Sequence, residues 1–404
     1  MSTGGHRNVF LGIVLAQVLD SIAVAILLPA IPFLALRLGA APVTVAAVMS
    51  VQFVGGALGS PVLGWLSDRI PRPAILLGSL VAACASSWLL TIAHSIALLF
   101  VLRTITGFMS SNLVLLESMI AEMTTIDERG PGIAKLRLGS TIGLILGPGA
   151  AGLLGRLDLG DGLVPMIVLA AAIQTFEPLV LARALRGRWV TRHVGVATPT
   201  ARGGVFHRFV TTAKIRDYAL IKALIATCFA LVMAISPVWS ADRLGWTATD
   251  LSGLVFGFGV SLFVVQIVVA ANRLPWLTSS RALFVACAIV AVGFGVVIAF
   301  PHGAALVVCC VALGLSSAVV NIVVPTTISR IALLDVGAML GITSTAVLAG
   351  SSLGPLAFGG IYERLGGGWV WSGGLALALV ATVLAGRHAD RATRSAVNHD
   401  SAFS

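Results

Sequence analysis

A few charged side chains stand inside stretches of sequence that otherwise carry none. Asp20 lies twelve residues into the apolar run that starts near residue 8. That is about 18 Å along an α-helix, near the middle of a hydrocarbon layer ~30 Å thick. A charge at such depth costs at least ~2.5 kcal/mol, so the acid is either held by a serine or backbone partner or kept to bind a proton. Arg103 enters its own apolar run about 9 Å from the outer end, at a depth similar to that of Asp20. Arginine cannot discharge and must find acceptors. Glu117 lies fourteen positions further on, within about 40° of the same helix face, where it could attract a cationic compound. Its plainer reading, shared with Glu177 and Lys222 toward the cytoplasmic ends of later helices, is snorkelling or an ion pair. Asp68, Arg72 and Glu122 group near one membrane surface, where charges are ordinarily just solvated. There is no HExxH pattern, no deep histidine and no acidic pair at catalytic spacing. Carboxylates are therefore left to move protons, no metal site or cofactor is expected, and a membrane enzyme is disfavoured.

The elements that must position these residues follow from composition. Of 404 residues, 58% are hydrophobic and 10% charged, with a mean hydropathy of +1.02, well above a soluble domain's apolar share. Uncharged windows at 38–67, 73–102, 138–155, 223–241, 251–272, 282–329, 336–362 and 365–386 mostly reach the ~20 residues needed to cross a bilayer. Splitting two of them at His94 and Pro301, and adding 8–36 and 162–182, predicts an all-α membrane protein of twelve spans. The first run is longer than a signal sequence's apolar core and carries Asp20 and Pro29, so it is expected to remain in the mature protein. The five cysteines fall inside predicted helices without CxxC spacing and read as small apolar residues.

The net charge of +10 could point to nucleic acid, but the placement of the charges decides otherwise. With the N-terminus in the cytoplasm, twenty Lys and Arg fall in inner segments and four (Arg37, Arg156, Arg243, Arg364) in outer loops. This asymmetry is the positive-inside rule, so the basic balance reports orientation and contact with anionic lipid on the cytoplasmic face. Both termini are then cytoplasmic.

Residues 185–217 form a long basic polar stretch that divides the chain six spans plus six. The reading is an N-terminal bundle at 1–184, a cytoplasmic linker at 185–217, a C-terminal bundle at 218–386 and a tail at 387–404. Leu146-Gly147-Pro148 recurs as Leu353-Gly354-Pro355, and Gly107 matches Gly314, at a constant offset of 207. Parallel six-helix repeats indicate a transporter built around a central cavity. Gln17, Asn112, Met233 and Asn321 are candidate cavity residues beside Glu117. The run GSTIGLILGPGAAGLLG at 139–155 holds six glycines. Gly139, Gly143 and Gly147 recur every four residues and make a stripe for close helix contact, and Pro148 should kink the helix.

Four motifs carry a resemblance. GWLSDRIPRP at 64–73 resembles the loop signature of the major facilitator superfamily, with Pro71 and Pro73 replacing a glycine and a basic residue. LDSIAVAILLP at 19–29 is similar to the first-helix motif of its drug:proton antiporters, LRTITGF at 102–108 to their fourth-helix arginine motif, and the glycine run to their fifth-helix motif. The resemblance implies that Arg103 steers protonation of Asp20. It also implies that Asp68 and Arg72 engage Glu122 as a cytoplasmic gate. The second-half copy of the loop is reduced to NRLPW, with Asn272 where an acid is expected, so charge should hold that gate less.

The resulting expectation is a monomeric, proton-coupled inner-membrane exporter of a small amphipathic compound, working by alternating access. Its partners would be substrate, protons and lipid, not nucleic acid. The same fold as a symporter or uniporter, or a membrane sensor that moves nothing, are the alternatives.

Overall fold

Hydrocarbon offers no water to backbone groups, so each apolar run must close its own hydrogen bonds, and a helix does this within the run. The computed structural model describes residues 3–67, 69–109, 112–124, 126–157, 162–185, 205–271, 274–332 and 336–400. These are helical apart from short turns and one 3-10 segment at Pro275–Thr278, with no strand among the described residues. The first half contains α1 (Thr3–Arg37), α2 (Pro42–Ser67), α3 (Arg72–Thr91), α4 (Ile96–Met109), α5 (Asn112–Met123), α6 (Ile126–Leu154) and α7 (Leu163–Leu185). The second contains α8 (Val205–Thr211), α9 (Ala213–Leu244), α10 (Ala248–Ala270), α11 (Ser280–Ala299), α12 (Gly303–Ala332), α13 (Val336–Leu365) and α14 (Gly367–Asp400). Eleven described helices are long and apolar enough to cross a membrane. Of the fourth expected span the structure describes α4, which has 14 residues, about 21 Å of helix, and α5; residues 110 and 111 between them lie outside the described residues.

The chain forms two compact units, residues 1–198 with 240–259, and residues 199–239 with 260–404. In the first unit α1 is the hub. A Cβ added at Gly143 would lie 2.5 Å from that of Ser21, and one at Gly147 would lie 2.5 Å from the Ile22 carbonyl oxygen. Only glycine permits this backbone approach, so the stripe of α6 seats α6 along residues 14–26 of α1. On another side of α1, Gly12 packs directly on Ala184 of α7. The same device joins α2 to α4, where Gly55 and Gly59 meet the backbone of Thr104 and Phe108, and Gly107 meets the backbone of Gln52. A buried apolar layer including Ile13, Leu76, Leu80, Leu116, Ile120, Leu136 and Leu181 ties α1, α3, α5, α6 and α7 together. The outward side chains are apolar too, Leu11, Leu15, Val81, Trp88 and Leu153 among them, as a lipid-facing belt requires.

In the second unit Gly350 and Gly354 of α13 close on Thr227 of α9. Trp371 packs edge-on against Trp239 at 5.8 Å and lies 6.3 Å from Phe294. Gly39 (φ 79°) follows α1 and Gly245 (φ 63°) follows α9, each in the left-handed region that favours glycine. The helix α14 continues past residue 386, and His388 in that continuation is buried, with its Nε2 3.0 Å from Oδ2 of Asp217. Tyr218, beside it, shares a 2.9 Å hydrogen bond with Ser280.

Candidate functional site

The first unit encloses a cavity of about 290 Å³, lined by Asp20, Ser21, Val24 and Ala25 of α1, Gln52 of α2, Ala83 of α3, Thr106 and Met109 of α4, Ser140 and Leu144 of α6, and Gln174 of α7. Its size is near the lower end of small-molecule pockets, and its make-up, apolar walls with a few convergent polar groups, is theirs as well. Asp20 is half-buried and is the sole ionisable side chain among the described lining residues. The glycine stripe sets the geometry. Because α6 lies against α1 at Gly143 and Gly147, Ser140 and Leu144, on the adjoining flank of α6, face the same space as Asp20 and Ser21. Pro148 has no N–H to give the carbonyl of Leu144, and that oxygen lies 3.0 Å from where a Cβ on Gly259 would stand.

The polar lining is held in place by bonds from behind. Arg103, 3% exposed, donates from Nη2 to Oε1 of Gln52, while its Nε has no partner among the described residues. Ser87 donates to Oε1 of Gln174. Thr106 donates to the Leu102 carbonyl at 2.8 Å and shares a 3.2 Å contact with the Ser86 hydroxyl. Gln17 donates to Ser21 at 3.0 Å, one turn along α1 from Asp20. Ser140 lines the cavity, and its buried hydroxyl has no partner among the described residues. The arrangement lines the cavity with one carboxyl, two anchored amides and three hydroxyl-bearing residues, inside walls that reward apolar contact.

The residues named from sequence fall out unevenly. Asp20 lines the cavity, and Arg103 reaches its wall through Gln52; no ion pair joins Asp20 to Arg103 among the described residues. Gln17 is buried behind Ser21 and does not itself line the space. Glu117 is not among the lining residues either and pairs with Arg137 of α6 at 2.7 Å. Met233, buried on α9, and Asn321, exposed on α12, belong to the second unit. Arg72 is half-buried at the start of α3. Asp68 and the side chains of Asn112 and Glu122 lie outside the described residues. Glu177, expected to snorkel or to form an ion pair, is instead 1% exposed and within electrostatic reach of Asp20.

Sequence reasoning missed Gln52, Thr106, Ser140 and Gln174. Each is an uncharged polar residue inside an apolar span, a signal that was available, but nothing marked which face of the helix it occupied.

Comparison with known proteins agrees with the fold. The model of the Major Facilitator Superfamily matches residues 13–332. The chain is 24% identical over 384 residues to a class G tetracycline resistance protein of Vibrio anguillarum, covering 90% of this chain and 93% of that protein. It is 26% identical over 392 residues to a class B tetracycline resistance protein of Escherichia coli, covering 91% and 92%. The multidrug resistance protein MdtG of Salmonella choleraesuis is 24% identical over 208 residues, 52% of this chain and 48% of that one. Among solved structures, a bacterial homolog of the human lysosomal transporter Spinster, inward-facing and occupied, superposes with a TM-score of 0.74 at 14% identity, covering 96% and 98%. The nucleoside transporter NupG gives 0.70 at 15%, covering 95% and 99%.

Proposed function

Because the chain belongs to the Major Facilitator Superfamily and is a multi-pass membrane transporter of small molecules rather than an enzyme, we propose that it is a proton-coupled exporter of a small amphipathic organic compound. The observation that carries this reading is Asp20, the ionisable group of an otherwise uncharged cavity within a membrane-spanning unit. An acid at that depth is there for function by default. Similarity over nine-tenths of the chain to tetracycline resistance proteins supports drug export in particular.

In this mechanism the cavity accepts compound from the cytoplasmic side or inner leaflet while Asp20 is a carboxylate, able to face a cationic or hydrogen-bonding group. Gln52 and Gln174 orient the guest. A proton from outside then returns Asp20 to the neutral acid, which gives up its hold on the guest, and alternating access completes the cycle. Arg103 acts on this step through Gln52, and Asp68, Arg72 and Glu122 serve as the cytoplasmic gate. The bundles are 1–184 and 218–386, joined by 185–217, in the cell's inner membrane with both termini cytoplasmic, and the working form is a monomer.

The test is gradient-driven uptake into inverted vesicles across a panel that includes tetracycline and a nucleoside, comparing wild type with Asp20→Asn. Compound-dependent release of protons from the vesicle lumen by wild type alone is the expected result. Transport that survives collapse of the proton gradient, or that is intact in Asp20→Asn, rejects the reading.

A further inference from the structure

Among the described residues of the first unit, the least exposed acid does not line the cavity. Glu177 of α7 is 1% exposed, and its Oε2 makes no hydrogen bond among the described residues. Its depth follows from the packing of α1 on α7. Gly12 touches Ala184, and from that contact Asp20 lies eight residues up α1 while Glu177 lies seven residues back along α7. The two helices run oppositely here, since position numbers rise along one as they fall along the other. At 1.5 Å per residue the carboxyl-bearing positions stand about 12 Å and 10.5 Å from the shared contact. They are therefore level, and within electrostatic range of each other.

Among the described residues, the groups facing Glu177 add no positive charge: Asp20 comes from α1 and Cys84 from α3. Arg103 on α4 is engaged by Gln52. On the cavity side, Gln174 stands one turn from Glu177 along α7 and lines the space that Asp20 lines. A carboxylate buried without donor or counter-ion is unfavourable, and two such charges side by side are more so. The two acids must therefore share a proton whenever no cation is present.

We propose that Glu177 is a second proton-carrying carboxylate of the transport site, paired with Asp20 behind the cavity wall. This rests on the reading of Asp20 as the proton-binding acid. The pair keeps one proton throughout, on Glu177 when Asp20 is the carboxylate that faces a cationic guest. When a proton enters from outside, it bonds to Asp20 and the pair is then fully neutral. Release of that proton breaks the same O–H bond and restores the singly protonated pair. The ligands of this site are protons, and the cavity beside it favours compounds with a basic amine over anionic ones.

The experiment is an infrared titration of purified full-length protein in lipid, following the carbonyl stretch of protonated carboxyls, in wild type, Glu177→Gln and Asp20→Asn. Interacting acids titrate in two steps that belong to the pair. Wild type should show two steps. Each variant should keep one, lying about one pH unit or more below the upper wild-type step. An upper step that persists unmoved in Glu177→Gln overturns the proposal. Should that variant fail to fold, Asp20→Asn reads the same coupling from the Glu177 side, and there an unmoved upper step overturns it equally. Loss of gradient-driven tetracycline transport in Asp20→Asn with a wild-type titration in Glu177→Gln defeats this inference alone. Intact transport in Asp20→Asn defeats the reading it rests on.

Discussion

At the scale of the residue, Gln52 shows how a neutral side chain can govern a charged one. Arg103 is nearly sealed from solvent, and its described hydrogen bond goes to the Gln52 carbonyl oxygen. Gln52→Leu would strip that acceptor and leave a buried guanidinium unsatisfied, at a cost of about 1–3 kcal/mol. Thermal unfolding in detergent should fall accordingly, and an unchanged midpoint would show that Arg103 finds another acceptor. The acid and the arginine were both legible in the sequence because a charge inside an apolar run announces itself. Gln52 and Gln174 were not, although each is an isolated polar residue. These helices are apolar on nearly every side, half against lipid and half against protein, so hydrophobic periodicity carries no information about which way a residue faces. The burial of Glu177, which was expected to snorkel or pair, was hidden for a related reason: the sequence does not say which face of α7 turns toward α1.

At the scale of the element, glycine decides where helices touch. A methyl at Gly143 would meet Ser21 and the backbone of Ile22, so Gly143→Ala should destabilise by about 1–3 kcal/mol through overpacking and depress transport while the protein still inserts. At Gly78 on α3 a methyl would find nothing within 4 Å, so Gly78→Ala should be neutral or stabilising by up to about 1 kcal/mol through helix propensity. Thermal melts of the two variants should move in opposite directions; parallel shifts would mean that contact distance is not what matters. In the second unit Thr227 plays the opposing part. Gly354→Ala should lower the melting temperature, and Thr227→Ala should recover part of the loss, a non-additivity of about 0.5–3 kcal/mol. The spacing of the stripe was readable from sequence. Its partner was not, because a four-residue glycine repeat says that something approaches closely without saying what.

At the scale of the whole molecule, repetition is the organising fact. The Gly143 and Gly147 contacts of α6 on α1 recur as the Gly350 and Gly354 contacts of α13 on α9, at the same offset of 207. The left-handed glycines that follow α1 and α9 are 206 positions apart. The repeat was visible in sequence, but the two copies are not chemically equal. The first carries Asp20, Arg103 and Glu177 within its membrane segments, whereas the titratable contact described in the second, Asp217 with His388, lies near the helix ends. The charge asymmetry predicts orientation as well. Reporter fusions at residue 404 should be fluorescent as a cytoplasmic protein and inactive as an exported phosphatase, and the opposite pattern would invert every assignment of inside and outside. The cavity's composition has one more consequence, for how such a protein changes over generations. Val24, Ala25, Ala83, Met109 and Leu144 fill space without fixing direction, so exchanging them alters which shapes fit while leaving Asp20, Gln52 and Gln174 untouched. Selection can therefore widen or shift the range of transported compounds by single apolar substitutions. An inhibitor that leans on those walls would soon be evaded, whereas one anchored to the acid and the two amides would confront the residues that the proposed mechanism needs unchanged.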